Sequence, residues 1–246
     1  MKRSRSFFRI AFCCISILFI SATKDQPANQ RTVLLELFTS QGCSSCPPAD
    51  ALLGEYAGSG DTHVIPLSFH VDYWNRLGWK DPFSAAAFSA RQQQYSRHMH
   101  LDGVYTPQIV VNGRTETVGN NRNAVQRLVA QEKNTAADAS LTIDGINVSD
   151  KALEFHYHIS GAAADQLIQV ALAQKKLTTD IRAGENSGVV LTNYNVVREF
   201  TTVQPNPQQI ASVPLPNGFK RQEYVLVVFL QNVKNLTVTA VTAKTF

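Results

Sequence analysis

Apolar residues in this chain fall into short runs whose spacing changes near residue 137. Val33 to Phe38 is a compact apolar run of β-strand character, ending in the turn-forming Thr39-Ser40-Gln41-Gly42. Ala49 to Tyr56 has Leu52, Leu53 and Tyr56 at helical spacing, and Val64 to Phe69 is a second strand. Asp81-Pro82 is a helix-start signal, Asp as cap and Pro at the first position. It predicts a helix to about His98, with Phe83, Ala87, Phe88, Arg91 and Tyr95 along it. Gln108 to Val111 and Thr115 to Val118 flank Asn112-Gly113, a strong hairpin turn, and Asn123 to Glu132 closes with a helix. Strand, helix, strand, helix, strand, strand, helix is an α/β order, a central mixed sheet flanked by helices. Beyond Asn134-Thr135-Ala136-Ala137 the helical period disappears. Strands are expected at Leu141–Ile143, Leu153–Ile159, Leu167–Gln174, Val189–Val197, Tyr224–Gln231 and Leu236–Ala243. They predict a small all-β, sandwich-like second domain.

The N-terminus alters what composition means. Lys2, Arg3, Arg5 and Arg9 precede an uncharged apolar run, Ile10 to Ile20, and then Ser21-Ala22. This is the pattern of a secretory signal peptide, and the run is too short for the roughly 20 residues a membrane span needs. The expected organisation is therefore a signal peptide over 1–22, a polar spacer over 23–30, an α/β domain over 31–136 and a β domain over 137–246. The leader carries four basic residues and no acid. Its loss brings the chain's 23 Lys+Arg into balance with its 19 Asp+Glu, so nothing argues for nucleic acid. The four cysteines fall to two, Cys43 and Cys46, so no disulfide framework stabilises the mature chain. The expected location is periplasmic or secreted, without a stable membrane span.

Cys43-Ser44-Ser45-Cys46 follows a strand and opens a helix. Thiol exchange needs this spacing, because one thiolate attacks a partner disulfide and the second releases the mixed disulfide. A helix start lowers a thiol's pKa through free N–H groups and the dipole. Cys43 is expected to be the exposed nucleophile and Cys46 the resolving thiol. Pro47 and Pro48 are expected to make the helix kinked or irregular early on. As a structural staple, so short a loop contributes only about 2 kcal/mol. A metal site would need further ligands from His63, His70, His98 or His100, none convincingly spaced, so no metal and no cofactor are expected.

Leu35 to Pro47 resembles the active-site region of thioredoxin and glutaredoxin relatives, and Tyr105 to Gly113 resembles their second signature. The resemblance implies a thioredoxin-like first domain with Thr106–Pro107 cis against the cysteines, the neighbouring backbone holding a substrate chain. Phe69-His70-Val71-Asp72-Tyr73-Trp74, Leu77 to Phe83 and Arg182 to Gly188 are similar to a bacterial exported family called domain of unknown function 1223. That likeness covers nearly all of the mature chain and implies export, but no substrate. Ser-Ser between the cysteines departs from thioredoxin's Gly-Pro, so redox poise does not transfer.

Glu36 lies in an apolar strand between Leu34 and Phe38. By analogy with the buried acid of thioredoxins it is a candidate proton mover for Cys46, with a structural salt bridge as its alternative. His70, Asp72 and Trp74 follow the second strand, where α/β folds place their sites, and are candidates with Thr106 for lining a substrate pocket. Packing aromatics and a turn-capping Asp72 are the alternatives. Arg91, Arg97, His98 and His100 read as a solvated helix face. The leading reading is an exported thiol–disulfide oxidoreductase acting on protein or small-molecule thiols and disulfides. The other is a non-catalytic exported binding or scaffold protein with a thioredoxin-like fold, docking a partner or a metal, with a bystander disulfide. Oligomeric state is not legible.

Overall fold

The computed structural model describes residues 30–161 and 164–246; the signal-peptide reading of 1–22 lies outside the described residues. The first apolar run forms β1 (Val33–Thr39), buried along its whole length. It leads through the cysteine turn into α1 (Pro47–Gly58) and β2 (Val64–His70). Then follow α2 (Ala86–His98), β3 (Gln108–Val111), β4 (Thr115–Val118) and α3 (Arg122–Lys133). β1 pairs in parallel with β2, from Val33↔Val64 to Thr39↔His70, and antiparallel with β3. A strand covered on both faces needs apolar residues at both parities, which is why its pattern is a run rather than an alternation. Val33, Leu35 and Leu37 pack on Ala49, Leu52 and Leu53 of α1 and Val125 and Val129 of α3. Leu34 and Phe38 pack on the other face with Phe88 and Tyr95 of α2. Burying one such side chain contributes about 1.5–3 kcal/mol.

The remaining strands are β5 (Ser140–Val148), β6 (Ala152–Ser160), β7 (Gln166–Asp180), β8 (Val190–Val203), β9 (Ile210–Pro214), β10 (Tyr224–Asn232) and β11 (Val238–Thr245). β9 carries no run that the hydrophobic pattern marks. β7, β8, β10 and β11 extend the sheet of the first four strands, giving one mixed eight-stranded sheet ordered β11-β10-β7-β8-β2-β1-β3-β4. The junction is parallel pairing of β2 with β8 at Ser68↔Val196. The sheet curls, so that Val225, Val227 and Phe229 of β10 and Val238 and Val241 of β11 share a core with β1 and β2. β5, β6 and β9 form a separate three-stranded sheet that buries Leu153, Phe155 and Tyr157 against Leu172, Leu226 and Val228. The sandwich therefore takes one of its layers from the shared sheet.

One local reading changes. Asp81-Pro82 does not start α2, which begins at Ala86 after an extended Ala85. The Asp81 carboxylate is occupied elsewhere, by His70 and by the backbone N–H groups of Gln41 and Phe83. Pro47 and Pro48 occupy the first two positions of α1, where N–H groups lack intrahelical acceptors.

The Asn112-Gly113 hairpin forms as read, with φ of 47° and 63°, the pairing of positive angles that a type I′ turn requires. It is also a tertiary junction. Asn112 Oδ1 accepts the Leu34 N–H at 2.7 Å, and its backbone carbonyl accepts the Val238 N–H at 2.8 Å. A Cβ on Gly113 would lie 2.0 Å from the Leu236 carbonyl oxygen. Gly113→Ala is expected to cost roughly 3 kcal/mol, from left-handed backbone strain plus forced movement of the β10–β11 turn. An unfolding free energy from urea titration within about 0.5 kcal/mol of the parent's would contradict this.

Candidate functional site

The cysteine turn is built where the parallel pair β1–β2 ends. Gly42 packs beside Trp74. Cys43 and Cys46 are joined by a disulfide, Cα to Cα 5.4 Å, and Cys46 is the N-cap residue of α1. Contrary to the expectation of an exposed Cys43, both cysteines are 0 % exposed, and Ser44 and Ser45 present the surface of the turn. Part of the reason is the loop 181–189 between β7 and β8. Buried Asn186 donates from Nδ2 to the carbonyls of Gln41 and Cys43, each at 2.9 Å, and Glu185 accepts the Ser44 N–H at 3.1 Å. The pattern marked Arg182–Gly188 only through family likeness; no local periodicity points to these contacts.

Thr106–Pro107 is cis. A Cβ on Gly119 would come within 3.2 Å of both Ala49 and Pro107, so Pro107 and the first turn of α1 flank that glycine. Trp74 Nε1 donates to Thr106 Oγ1 at 2.8 Å, joining two of the candidate pocket residues beside the turn. Asp72 lies apart from this group. Its carboxylate accepts the Ser89 hydroxyl and its N–H donates to that hydroxyl's oxygen, tying the β2–α2 connection to α2.

Behind the turn lies a buried polar cluster. His70 Nδ1 meets Asp81 Oδ2 at 2.7 Å, and that oxygen also accepts the Gln41 N–H at 2.8 Å. Burial opposes the imidazolium, but Asp81 and Asp50 outweigh it and hold the His70 pKa above its ordinary value. Burial likewise opposes the Asp81 anion; His70 and two backbone donors outweigh it and keep this carboxyl below the usual range. His70 thus supports the turn from within and does not wall an open pocket. Gln41 Nε2 reaches Asn193 Oδ1 of β8 at 3.0 Å, and Trp79 Nε1 donates to Gln41 Oε1.

Asp50 is the residue that pattern reasoning missed. It sits on α1 four residues after Cys46, and its N–H bonds the Cys46 carbonyl at 3.1 Å. Side chains at i and i+4 share a helix face and lean toward the N-terminus, so Asp50 shares a face of α1 with Cys46. That spacing, visible in the sequence, is the signal that finds it. Burial pushes the Asp50 pKa from 3.8 to about 7, against the opposing pull of His70 and a hydrogen bond from Thr39. Asp50 Oδ1, His70 Nε2, Asn193 Nδ2 and Ser68 Oγ are buried without hydrogen-bond partners among the described residues. A cleft of about 560 Å³ between α1 and β8, walled by Pro47, Asp50, Gly54, Leu191 and Tyr194, leads to this cluster. A larger cavity of about 700 Å³ opens at the opposite end of β2, beside Val64 and Ile65, and holds none of these groups.

Glu36 takes the salt-bridge alternative. Its Oε2 accepts Arg91 Nε at 2.6 Å and its Oε1 accepts the Tyr95 hydroxyl at 2.5 Å. It points to the α2 face of β1, whereas the cysteine turn leads into α1 on the other face. Arg91 is accordingly not on a solvated face: it is buried, with its guanidinium 4.9 Å from the Phe200 ring centroid. Arg97, His98 and His100 are exposed as read. Among the described residues no cluster of three or more His, Cys, Asp or Glu side chains is arranged to hold a metal ion.

No helix among the described residues is long and apolar enough to cross a membrane. No curated protein sequence matches the chain. Among solved structures, protein AGR_C_4864 from Agrobacterium tumefaciens is 28% identical with a TM-score of 0.66, the match covering 88% of this chain and 95% of that one. HBP35 of Porphyromonas gingivalis shares the fold, with a TM-score of 0.58 at 11% identity over 89% of this chain and 76% of that one. The chain belongs to the family described as "Protein of unknown function (DUF1223)", whose model matches residues 34–231, a span holding the cysteine turn, the cis-proline and the Glu185–Asn186 loop.

Proposed function

We propose that this chain is an exported thiol–disulfide oxidoreductase whose first seven elements form a thioredoxin-like unit. The observation that carries the reading is Asp50, a buried carboxyl with its pKa raised to about 7, one helical turn behind a C-x-x-C disulfide. The cis-proline beside the first turn of α1 supports it. In the reduced protein the Cys43 thiolate attacks one sulfur of a partner disulfide, breaking that bond and releasing a partner thiolate, which is protonated from water. Cys46 gives its proton to the Asp50 carboxylate and attacks Cys43 Sγ in the mixed disulfide. The second partner sulfur then leaves as a thiolate and takes a proton. Two electrons pass from the dithiol to the partner, and the same steps reversed oxidise a partner dithiol. A carboxyl that titrates near neutrality is suited to both proton movements. No cofactor is required.

The test is capture. Cys46→Ser removes the resolving thiol, so partners accumulate as mixed disulfides on Cys43 in exporting cells, seen on non-reducing gels and absent when Cys43→Ser is added. The burial of both cysteines favours a second reading, a non-catalytic exported scaffold whose disulfide is closed off. That reading predicts no mixed disulfides, and reduction of the native protein by dithiothreitol only as fast as it unfolds.

A further inference from the structure

The loop 181–189 carries a carboxylate to the cysteine turn. Glu185 accepts the Ser44 N–H, and Asn186, 6% exposed, anchors the loop on the carbonyls of Gln41 and Cys43. A thiolate at the start of a helix depends on nearby unpaired N–H groups. Here that supply is reduced, although the Ser45 hydroxyl lies 3.4 Å from Cys43 Sγ. Pro47 and Pro48 have no N–H, and the N–H groups of Ala49 and Asp50 both bond the Cys46 carbonyl. The Ser44 N–H, next in the chain after Cys43, is spent on Glu185. Its bonds to Ser44 also hold the Glu185 carboxyl below its ordinary pKa, so it is anionic at neutral pH.

We propose that Glu185, held in place by Asn186, sets the redox bias of the pair: its anion disfavours the Cys43 thiolate and so favours the neutral disulfide. This rests on the redox reading above and gives it a direction. The bias is toward giving electrons to partner disulfides. The chain's dithiol becomes the disulfide as the partner disulfide becomes two thiols, and a dithiol donor returns the two electrons and two protons. Glu185 is a positioning residue that acts through Cys43. Charged groups on the elements packed against the turn include Asp50 of α1, the His70–Asp81 pair behind Gln41, and Arg182 in the loop 181–189.

Glu185→Gln in the full chain removes the charge and keeps an oxygen that accepts the Ser44 N–H. The Cys43 thiolate pKa is read from iodoacetamide alkylation of the reduced protein against pH, and the redox equilibrium from dithiothreitol mixtures. The variant is expected to have a lower thiolate pKa and to shift about two- to fivefold toward the dithiol, which is about 10–20 mV at 29.6 mV per tenfold. Only a thiolate feels the charge, so the shift appears above the Cys43 pKa and vanishes below it. An unchanged pKa and equilibrium, or an equal shift at every pH, overturns the proposal. Neither measurement needs a physiological partner. Failure of Cys46→Ser to trap one would sink the redox reading and leave this result standing, and a silent Glu185→Gln would do the reverse.

Discussion

Asp50→Asn is expected to slow resolution of the Cys43 mixed disulfide by about 10²-fold near pH 7, the scale of lost general acid–base catalysis. The amide occupies the same space and still accepts from Thr39, so the change isolates the proton. Single-turnover rates of a Cys43 adduct measure it, and a rate within twofold of the parent's removes Asp50 from the mechanism. The same variant has a signature in stability. The folded pKa of Asp50, about 7, lies above the unfolded 3.8. Between those values the folded state binds the extra proton, so stability declines as pH rises through the window and levels off above it. The full contribution is about 4 kcal/mol. His70, whose pKa is raised in the folded state, adds stability that is complete below its unfolded value and is lost as pH rises through the folded one. Urea midpoints at pH 5 and 8 should therefore differ clearly in the parent. In Asp50→Asn they should differ less, with the His70 part remaining.

Arg91→Met is expected to lower stability by about 3–5 kcal/mol, because it leaves the Glu36 carboxylate buried without its cation. Arg91 binds Glu36 of β1 through Nε, Gln231 of β10 through Nη1 at 3.1 Å and the Tyr95 hydroxyl through Nη2 at 2.9 Å. One side chain thus joins β1, α2 and β10 across the central core. Its guanidinium also lies over the rings of Phe69, Tyr95, Phe200 and Phe229, which adds packing that methionine only partly replaces. At roughly 2–4 °C per kcal/mol, the thermal midpoint should fall by about 10 °C. The informative comparison is the double variant Glu36→Leu with Arg91→Met. Removing both charges restores most of the loss if the cost comes from the stranded carboxylate. A double variant no better than Arg91→Met would instead place the cost in the lost packing.

Both residues lie in segments whose local structure was legible from the chain. The run Val33–Phe38, the C-x-x-C opening a helix and the Asn112-Gly113 hairpin are each governed by neighbours a few positions away. Hydrophobic period, proline geometry and turn angles are local physics, and the elements they predict form. The same reasoning failed where a side chain is claimed by a distant partner. Asp81 has the makings of a helix cap, but His70 and the Gln41 N–H take its carboxylate. Arg91 stands in a polar stretch of α2, but Glu36, 55 positions away, draws it inside.

By itself, then, the sequence determined the α/β order of the first half, the C-x-x-C spacing of Cys43 and Cys46 and six of the seven strands of the second half, while likeness to thioredoxin relatives pointed to the cis-proline. Only the tertiary structure decided that the two halves share one sheet through β2 and β8. Only it showed Asp50 buried against Thr39 and Glu36 paired with Arg91 on the α2 face, and brought Asn186 to Cys43 across 143 positions. The reason is physical. Dihedral and burial preferences act over a few residues and leave a periodic trace, whereas ion pairing and strand partnering depend on distances that exist only after the chain has closed on itself.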